Sequence, residues 1–250
     1  MNNNISLKNK YFNITGSDGV GKDTVINNIL KFINNYTTFR EPGGTSEAEV
    51  IREIILGIDE KVRLQNFDKV LKMDILKLTR EYVNKAFDFY KSMPDMDITD
   101  SNNMMMVGEI EAYLYAASRN ETNHKIVIKG IEKGLNVIGS RSVACSMAYQ
   151  AGARGLKFED VWSLNKPTLT KMPDFEIYLD IPTEIAMERL RKRTDKQDRL
   201  DEEGFEFHKK TREGYLTYYK KYCPYPVHIV DASGTVEENT RSVLEIINKY

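Results

Sequence analysis

The sequence predicts an α/β protein built on a five-stranded parallel sheet with helices on both faces. Short apolar runs alternate with longer stretches of helical periodicity, the rhythm of strand–helix–strand units whose strands are covered on both sides. The first apolar run leads through a glycine-rich turn straight into an apolar helical stripe. The composition permits such a core: of 250 residues, 41% are hydrophobic and 29% charged, enough apolar surface for one large domain.

Tyr11-Phe12-Asn13-Ile14-Thr15 reads as the first strand. Val25, Ile26, Ile29, Leu30 and Ile33 then recur at helical spacing. A second strand, Tyr36 to Phe39, ends at Glu41-Pro42-Gly43-Gly44, a turn by composition. Ser46 and Glu49 form a capping-box pattern that opens a helix through Val50, Ile51, Ile54 and Ile55, with Gly57 placed to close it. From about 58 to 107 the chain changes character. Leu64, Phe67, Leu71, Leu78, Tyr82 and Ala86 form a helical stripe among many charges, followed by a loop at Pro94-Asp95-Met96-Asp97 and a methionine run, Met104-Met105-Met106. This stretch reads as a mainly helical insertion used for packing. One helix is expected from Gly108 through Arg119 and another up to Gly134. Strands are expected at 135–139, 175–181 and 227–230, each followed by a helix.

The bulk properties exclude several classes. Lys plus Arg is 36 against 37 Asp plus Glu, a net charge of −1, which argues against nucleic acid as a partner held by phosphate contacts. Cys145 and Cys223 are the two cysteines and His124, His208 and His228 the three histidines, too few and too scattered for a disulfide framework or a zinc cluster. No stretch of about 20 apolar residues or secretory leader is visible. The expectation is a cytoplasmic protein with no membrane partner.

Gly16-Ser17-Asp18-Gly19-Val20-Gly21-Lys22 matches G-x-x-x-x-G-K, with a strand before it and a helix after it. The glycines let backbone N–H groups turn toward an anion, the helix N-terminus adds partial positive charge, and Lys22 can reach the outer phosphates of a nucleotide. The next position normally holds a Ser or Thr whose hydroxyl binds Mg²⁺. Here it is Asp23, followed by Thr24, and a carboxylate is an acceptable ligand for a hard cation.

Four ordered blocks then resemble the thymidylate kinases. They are Ile14 to Lys22; Arg40-Glu41-Pro42-Gly43-Gly44-Thr45, matching R-E-P-G-G-T in full; Leu114-Tyr115-Ala116-Ala117-Ser118-Arg119, similar to L-F-A-A-D-R; and Val137 to Gln150, similar to V-I-x-D-R-Y-x-x-S-S-x-A-Y-Q. Pro173-Asp174, Tyr178 to Pro182, Glu188-Arg189-Leu190, Arg212 to Tyr215 and Val230-Asp231-Ala232 are also similar. The resemblance implies a P-loop kinase fold in a single domain over 1–250, with the insertion at about 58–107 and a lid at about 191–203. It implies transfer of the γ-phosphoryl of ATP to dTMP, with Mg²⁺, in a homodimer.

The implied roles are as follows. Gly16, Ser17, Asp18, Gly19, Val20, Gly21, Lys22, Asp23 and Thr24 hold ATP, together with Arg191 and Arg199 of the lid. Lys22, Arg141 and Arg193 stabilise the transferring group, and Asp23 binds the metal. Tyr115 stacks on the acceptor base, and Arg119, one helical turn on, bonds a base oxygen. Gln150 and Ser146 meet the same base, Arg141 grips the acceptor phosphate, and Asp18 approaches its sugar. Arg40 and Glu41 line the acceptor side. A stack-and-fork pattern suits any flat pyrimidine, so another deoxypyrimidine monophosphate such as dUMP stays open as acceptor. So does a nucleotide-binding regulatory protein with impaired catalysis, motivated by Asp23 and by Ser140, which stands where the family has the Asp of D-R-Y. The two departures form one acid–hydroxyl pair with its partners exchanged, and Ser140 is expected to donate to Asp23.

Overall fold

Strand β1 (Tyr11–Gly16) is buried at every residue, as the middle strand of a covered sheet must be. A computed structural model describes residues 5, 7–57, 60–92, 104–192, 200 and 203–250. Its sheet also contains β2 (Tyr36–Arg40), β3 (Asn136–Ser140), β4 (Phe175–Asp180) and β5 (Val227–Asp231). The order is β2-β3-β1-β4-β5 and every pairing is parallel. All five strands thus end at one edge. Ligands of open parallel sheets bind outside those carboxyl ends, where the strand order reverses.

Successive side chains of a strand point to opposite faces, and the core divides accordingly. Phe12, Ile14 and Ile177 pack with Val25 and Ile29 of α1 (Lys22–Ile29) and with Val243 and Ile247 of α11 (Val236–Ile247). Tyr178 packs on the opposite side with Met147, and with Tyr215 and Tyr218 of α10 (Phe205–Lys221). Phe12 and Phe175 stack at 4.7 Å between ring centres, both fully buried; each such side chain contributes about 2 kcal/mol of burial.

Helix α2 (Ser46–Leu56) is capped one residue earlier than its pattern suggests. Thr45, in an extended conformation, accepts from Ala48 N–H. Glu49, expected to reach back to the cap, instead accepts from Gly44 N–H at 2.8 Å and from Arg40. Gly57 ends the helix in an extended conformation (φ −68°) rather than the left-handed one.

The stretch expected to be an insertion is helical where it is described. The single stripe breaks into α3 (Glu60–Lys72) and α4 (Lys77–Lys91). Phe67, Tyr82 and Ala86 enter one apolar cluster with Ile51, Ile54 and Leu114, while Leu64 is exposed. Helix α5 (Met104–Thr122) passes through Gly108 instead of starting after it; glycine stands there because a Cβ would come within 2.8 Å of the Arg154 side chain. It also runs on past Arg119, through a π-helical segment at 123–128 into α6 (Lys129–Glu132). The two expected helices are therefore one rod, closed by Gly134 with φ +70°. A short α7 (Val143–Ser146), a π-helical segment at 147–153, α8 (Phe158–Asn165) and α9 (Thr183–Arg191) follow, with single 3-10 turns at Leu30–Phe32 and Lys166–Thr168. Cys145 and Cys223 are free thiols. Among the described residues no helix is long and apolar enough to cross a membrane.

Candidate active site

The glycine-rich turn leaves β1 at Gly16 and enters α1 at Gly21, which caps the helix in the left-handed conformation (φ 84°). Gly19 (φ +81°) lies so close to α9 that a Cβ there would meet the Ala186 carbonyl oxygen at 2.4 Å. Val20 turns into the core, while Thr24 is exposed. The first N–H groups of α1 have no intrahelical partner, as at any helix start, and together with the loop they suit an anion seat.

Three polar side chains meet beside that seat. Lys22 Nζ, on a side chain only 7% exposed, donates to Asp23 Oδ1 at 2.7 Å and to Ser140 Oγ at 3.2 Å. Ser140 Oγ–H donates to the same Asp23 oxygen at 3.1 Å. The acid on α1 and the hydroxyl at the end of β3 are thus joined across the sheet edge. Partial burial opposes ionisation of Asp23, but Lys22 outweighs it and holds the carboxyl below its ordinary range. Burial and the nearby Arg141 pull the Lys22 ammonium down. The Asp23 side chain remains 79% exposed, so its carboxylate faces outward.

Asp18, in the middle of the loop, faces the other way. It takes Arg141 Nη2 on one oxygen and the Tyr149 hydroxyl on the other, each at 2.5 Å. Burial opposes its charge, yet Arg141 and Tyr149 lower its pKa to about 2. Arg141 is held in the left-handed region (φ 75°) directly after β3, and its N–H donates to the Ile14 carbonyl. Burial and the Asp18 charge raise the Tyr149 hydroxyl well above its ordinary value.

Arg141 and Tyr149, the two donors to Asp18, line a cleft with about 410 Å³ of empty space, its open mouth included. Glu41, Tyr115, Arg119, Arg141, Ser146 and Gln150, all named from the sequence, line it. Arg52, Tyr149 and Cys145 line it too and were missed. The Arg52 signal was its place on the α2 face that follows the R-E-P-G-G-T turn. Burial raises the Cys145 thiol above its ordinary value. Arg40 stands outside this lining, at the exposed end of β2, and donates to both Glu49 carboxylate oxygens at 2.9 and 2.7 Å. The peptide before Pro42 is cis.

Arg119 is 1% exposed, and all three of its guanidinium nitrogens face protein oxygens. Nε donates to Glu41 at 2.8 Å, Nη1 to Ser146 Oγ at 3.3 Å and to Asn165, and Nη2 to the Ser142 carbonyl at 3.1 Å while lying 2.7 Å from Glu41. Burial pushes the Glu41 carboxyl up against the pull of this arginine. Gln150 and Tyr149 project from the π-helical segment at 147–153, a geometry that concentrates at functional sites. Gln150 Nε2 donates to buried Glu111 at 3.1 Å. Arg191 lies exposed at the end of α9; Arg193 and Arg199 fall outside the described residues.

The family model described as thymidylate kinase matches residues 97–243, more than half of the chain. The chain belongs to the thymidylate kinase family. A thymidylate kinase of Clostridium novyi is 31% identical over 237 residues, covering 92% of this chain and 94% of that one. One from Geobacillus thermodenitrificans is 32% identical over 234 residues, covering 91% and 84%. The crystal structure of thymidylate kinase from Ehrlichia chaffeensis shares the fold, with a TM-score of 0.59, 19% identity and coverage of 95% and 97%. The family is one of nucleoside-monophosphate kinases, so the chain is an enzyme of the phosphoryl-transferring P-loop class.

Proposed function

We propose that this chain transfers the γ-phosphoryl group of ATP to dTMP, giving ADP and dTDP. The observation that carries the reading, beside family membership, is the single cleft. Tyr115, Ser146, Gln150 and Arg141 line one cleft, and Arg141 is bonded to Asp18 of the phosphate loop. An acceptor phosphate at Arg141 therefore lies next to a donor phosphate on the loop. Phosphoryl transfer asks for this kind of positioning and charge stabilisation rather than a covalent nucleophile.

In this reading the loop amides of Gly16 to Lys22 hold the ATP phosphates, and Lys22 Nζ neutralises the oxygens that gain charge. Arg141 and Arg52, both in the cleft lining, hold the acceptor phosphate. Asp18, kept ionised by its two donors, accepts from the sugar hydroxyl of dTMP. Tyr115 stacks on the base. Arg119 has its nitrogens committed to Glu41, Ser146, Asn165 and Ser142, so its part here is to fix the cleft wall, and Gln150 presents the amide that meets the base edge. Arg191, Arg193 and Arg199 close over the nucleotide as a lid, and two copies of the chain form a homodimer.

Mg²⁺ belongs to the same reading, and the residues fit it. The Asp23 carboxylate and Ser140 hydroxyl are hard oxygen donors at the anion seat. Among the described residues no group of three acidic or imidazole side chains forms a cage. When bound, Mg²⁺ supplies charge neutralisation across the donor phosphates.

The test is a coupled ADP-release assay with ATP against dTMP, dUMP, dCMP and dGMP. Turnover highest with dTMP supports the reading. ATP binding without turnover of any acceptor contradicts it.

A further inference from the structure

We infer that Glu111 sets base choice by holding the Gln150 amide with its carbonyl toward the cleft, so that a pyrimidine bearing an N3–H is accepted and one with a bare N3 is refused. The inference rests on the proposed function, in which the acceptor base lies against Gln150.

A side-chain amide has a donating and an accepting end, and a protein that reads a base edge must settle which end faces it. Here the neighbour settles it. Glu111 is 3% exposed and takes the Gln150 Nε2–H at 3.1 Å. It also takes Arg154 Nε at 3.3 Å and Nη2 at 3.2 Å. Both Glu111 oxygens already accept, Oε2 from Gln150 Nε2 and Arg154 Nε and Oε1 from Arg154 Nη2, so the carboxyl serves as an acceptor here. Turning the Gln150 amide over would press two buried oxygens together and leave a hydrogen bond unmade. The amide nitrogen therefore stays on Glu111 through one of its two hydrogens, and Oε1 is the acceptor that Gln150 can offer the cleft it lines.

The lock is itself anchored. Arg154 pairs with Glu203 at 2.7 Å and lies over the Phe207 ring at 4.6 Å. Glu111 is one turn of α5 before Tyr115 and two before Arg119, on the stripe that faces the cleft. Thymine and uracil carry an N3–H that Gln150 Oε1 can accept. Cytosine carries a lone pair at N3, and two acceptors would face each other in a desolvated site, a repulsive device as effective for specificity as an added contact.

The experiment begins with calorimetric binding of dTMP, N3-methyl-dTMP and dCMP to the wild-type chain. Strong preference for dTMP over both others is expected. Equal binding of N3-methyl-dTMP and dTMP would remove the base from Gln150 altogether, overturning that placement and the inference with it. Equal binding of dCMP and dTMP, with N3-methyl-dTMP still refused, would overturn the inference alone. The second arm replaces Glu111→Leu together with Arg154→Met. Exchanging a buried ion pair for apolar side chains of similar size is commonly tolerated. The dTMP-to-dCMP affinity ratio is expected to fall about tenfold or more, the worth of one hydrogen bond reversed; an unchanged ratio in a folded variant overturns the inference. Should that variant not fold, NMR of the wild-type Gln150 side chain decides. Addition of dTMP is expected to shift its carbonyl carbon while its amide protons stay protected. Amide protons that shift and exchange beside an unmoved carbonyl overturn it.

Discussion

Asp23 and Ser140 carry the sharpest chemistry at the scale of single residues. A hydroxyl ordinarily follows the phosphate-loop lysine. This chain has a carboxylate there, and the hydroxyl sits at the end of β3, 3.1 Å away. A pair bonded in this way is expected to act as a unit. Asp23→Thr and Ser140→Asp are each expected to lower kcat/KM at least about tenfold, and the double variant to recover part of the loss. Steady-state kinetics on all four proteins checks this, and strictly additive losses would contradict it. Asp18 gives a second prediction. Its folded pKa of about 2 lies below the unfolded value of about 3.9. The stability it contributes is full above pH 4 and is lost as pH falls from about 4 toward 2. In Asp18→Asn, urea unfolding across that window should lose about 2 kcal/mol of its pH dependence. These residues were legible in the sequence because each stands at a fixed offset from a glycine or a strand end. Glu111 was not: its partner Gln150 is 39 positions away, and nothing local marks a buried carboxylate on a helix.

Among the elements, the sheet was the most legible part. β1, β3 and β4 are short apolar runs buried along almost their whole length, while the edge strands β2 and β5 each bury one residue. Helix boundaries were less so. The cap of α2 is at Thr45 rather than Ser46 because Glu49 is drawn to Gly44 and Arg40, a tertiary competition that no local pattern shows. Gly108 reads as a helix start, yet close packing on Arg154 is why glycine occupies the middle of α5. The same kind of contact joins α10 to the π-helical segment that carries Tyr149 and Gln150. A Cβ on Gly214 would lie 2.8 Å from the Ala148 carbonyl oxygen and 3.0 Å from the Gly152 Cα. Gly214→Ala is therefore expected to cost about 1–3 kcal/mol, read as a lower urea midpoint. It is also expected to weaken dTMP binding, because the segment must move to make room. A neutral substitution would show that the two helices do not depend on this contact.

For the whole molecule, the parallel sheet gathers at one edge what the sequence scatters. Asp18 comes from the first loop, Arg52 from α2, Tyr115 from α5, and Arg141 and Gln150 from the stretch after β3. The sequence marked most of these by their motifs but gave no sign that Arg119 would be fully committed to protein partners. That follows from the meeting of α5 with the β2 and β3 ends. The central claim is that ATP and dTMP lie end to end, joined at Arg141 and Asp18. A conjugate of adenosine and thymidine linked through an oligophosphate spans both seats at once and gains from the linkage. It should bind the protein at least about a hundredfold more tightly than dTMP alone, and either ATP or dTMP should displace it in competition calorimetry. Binding no tighter than the single nucleotides, or displacement by only one of them, would mean that the two seats do not share a cleft.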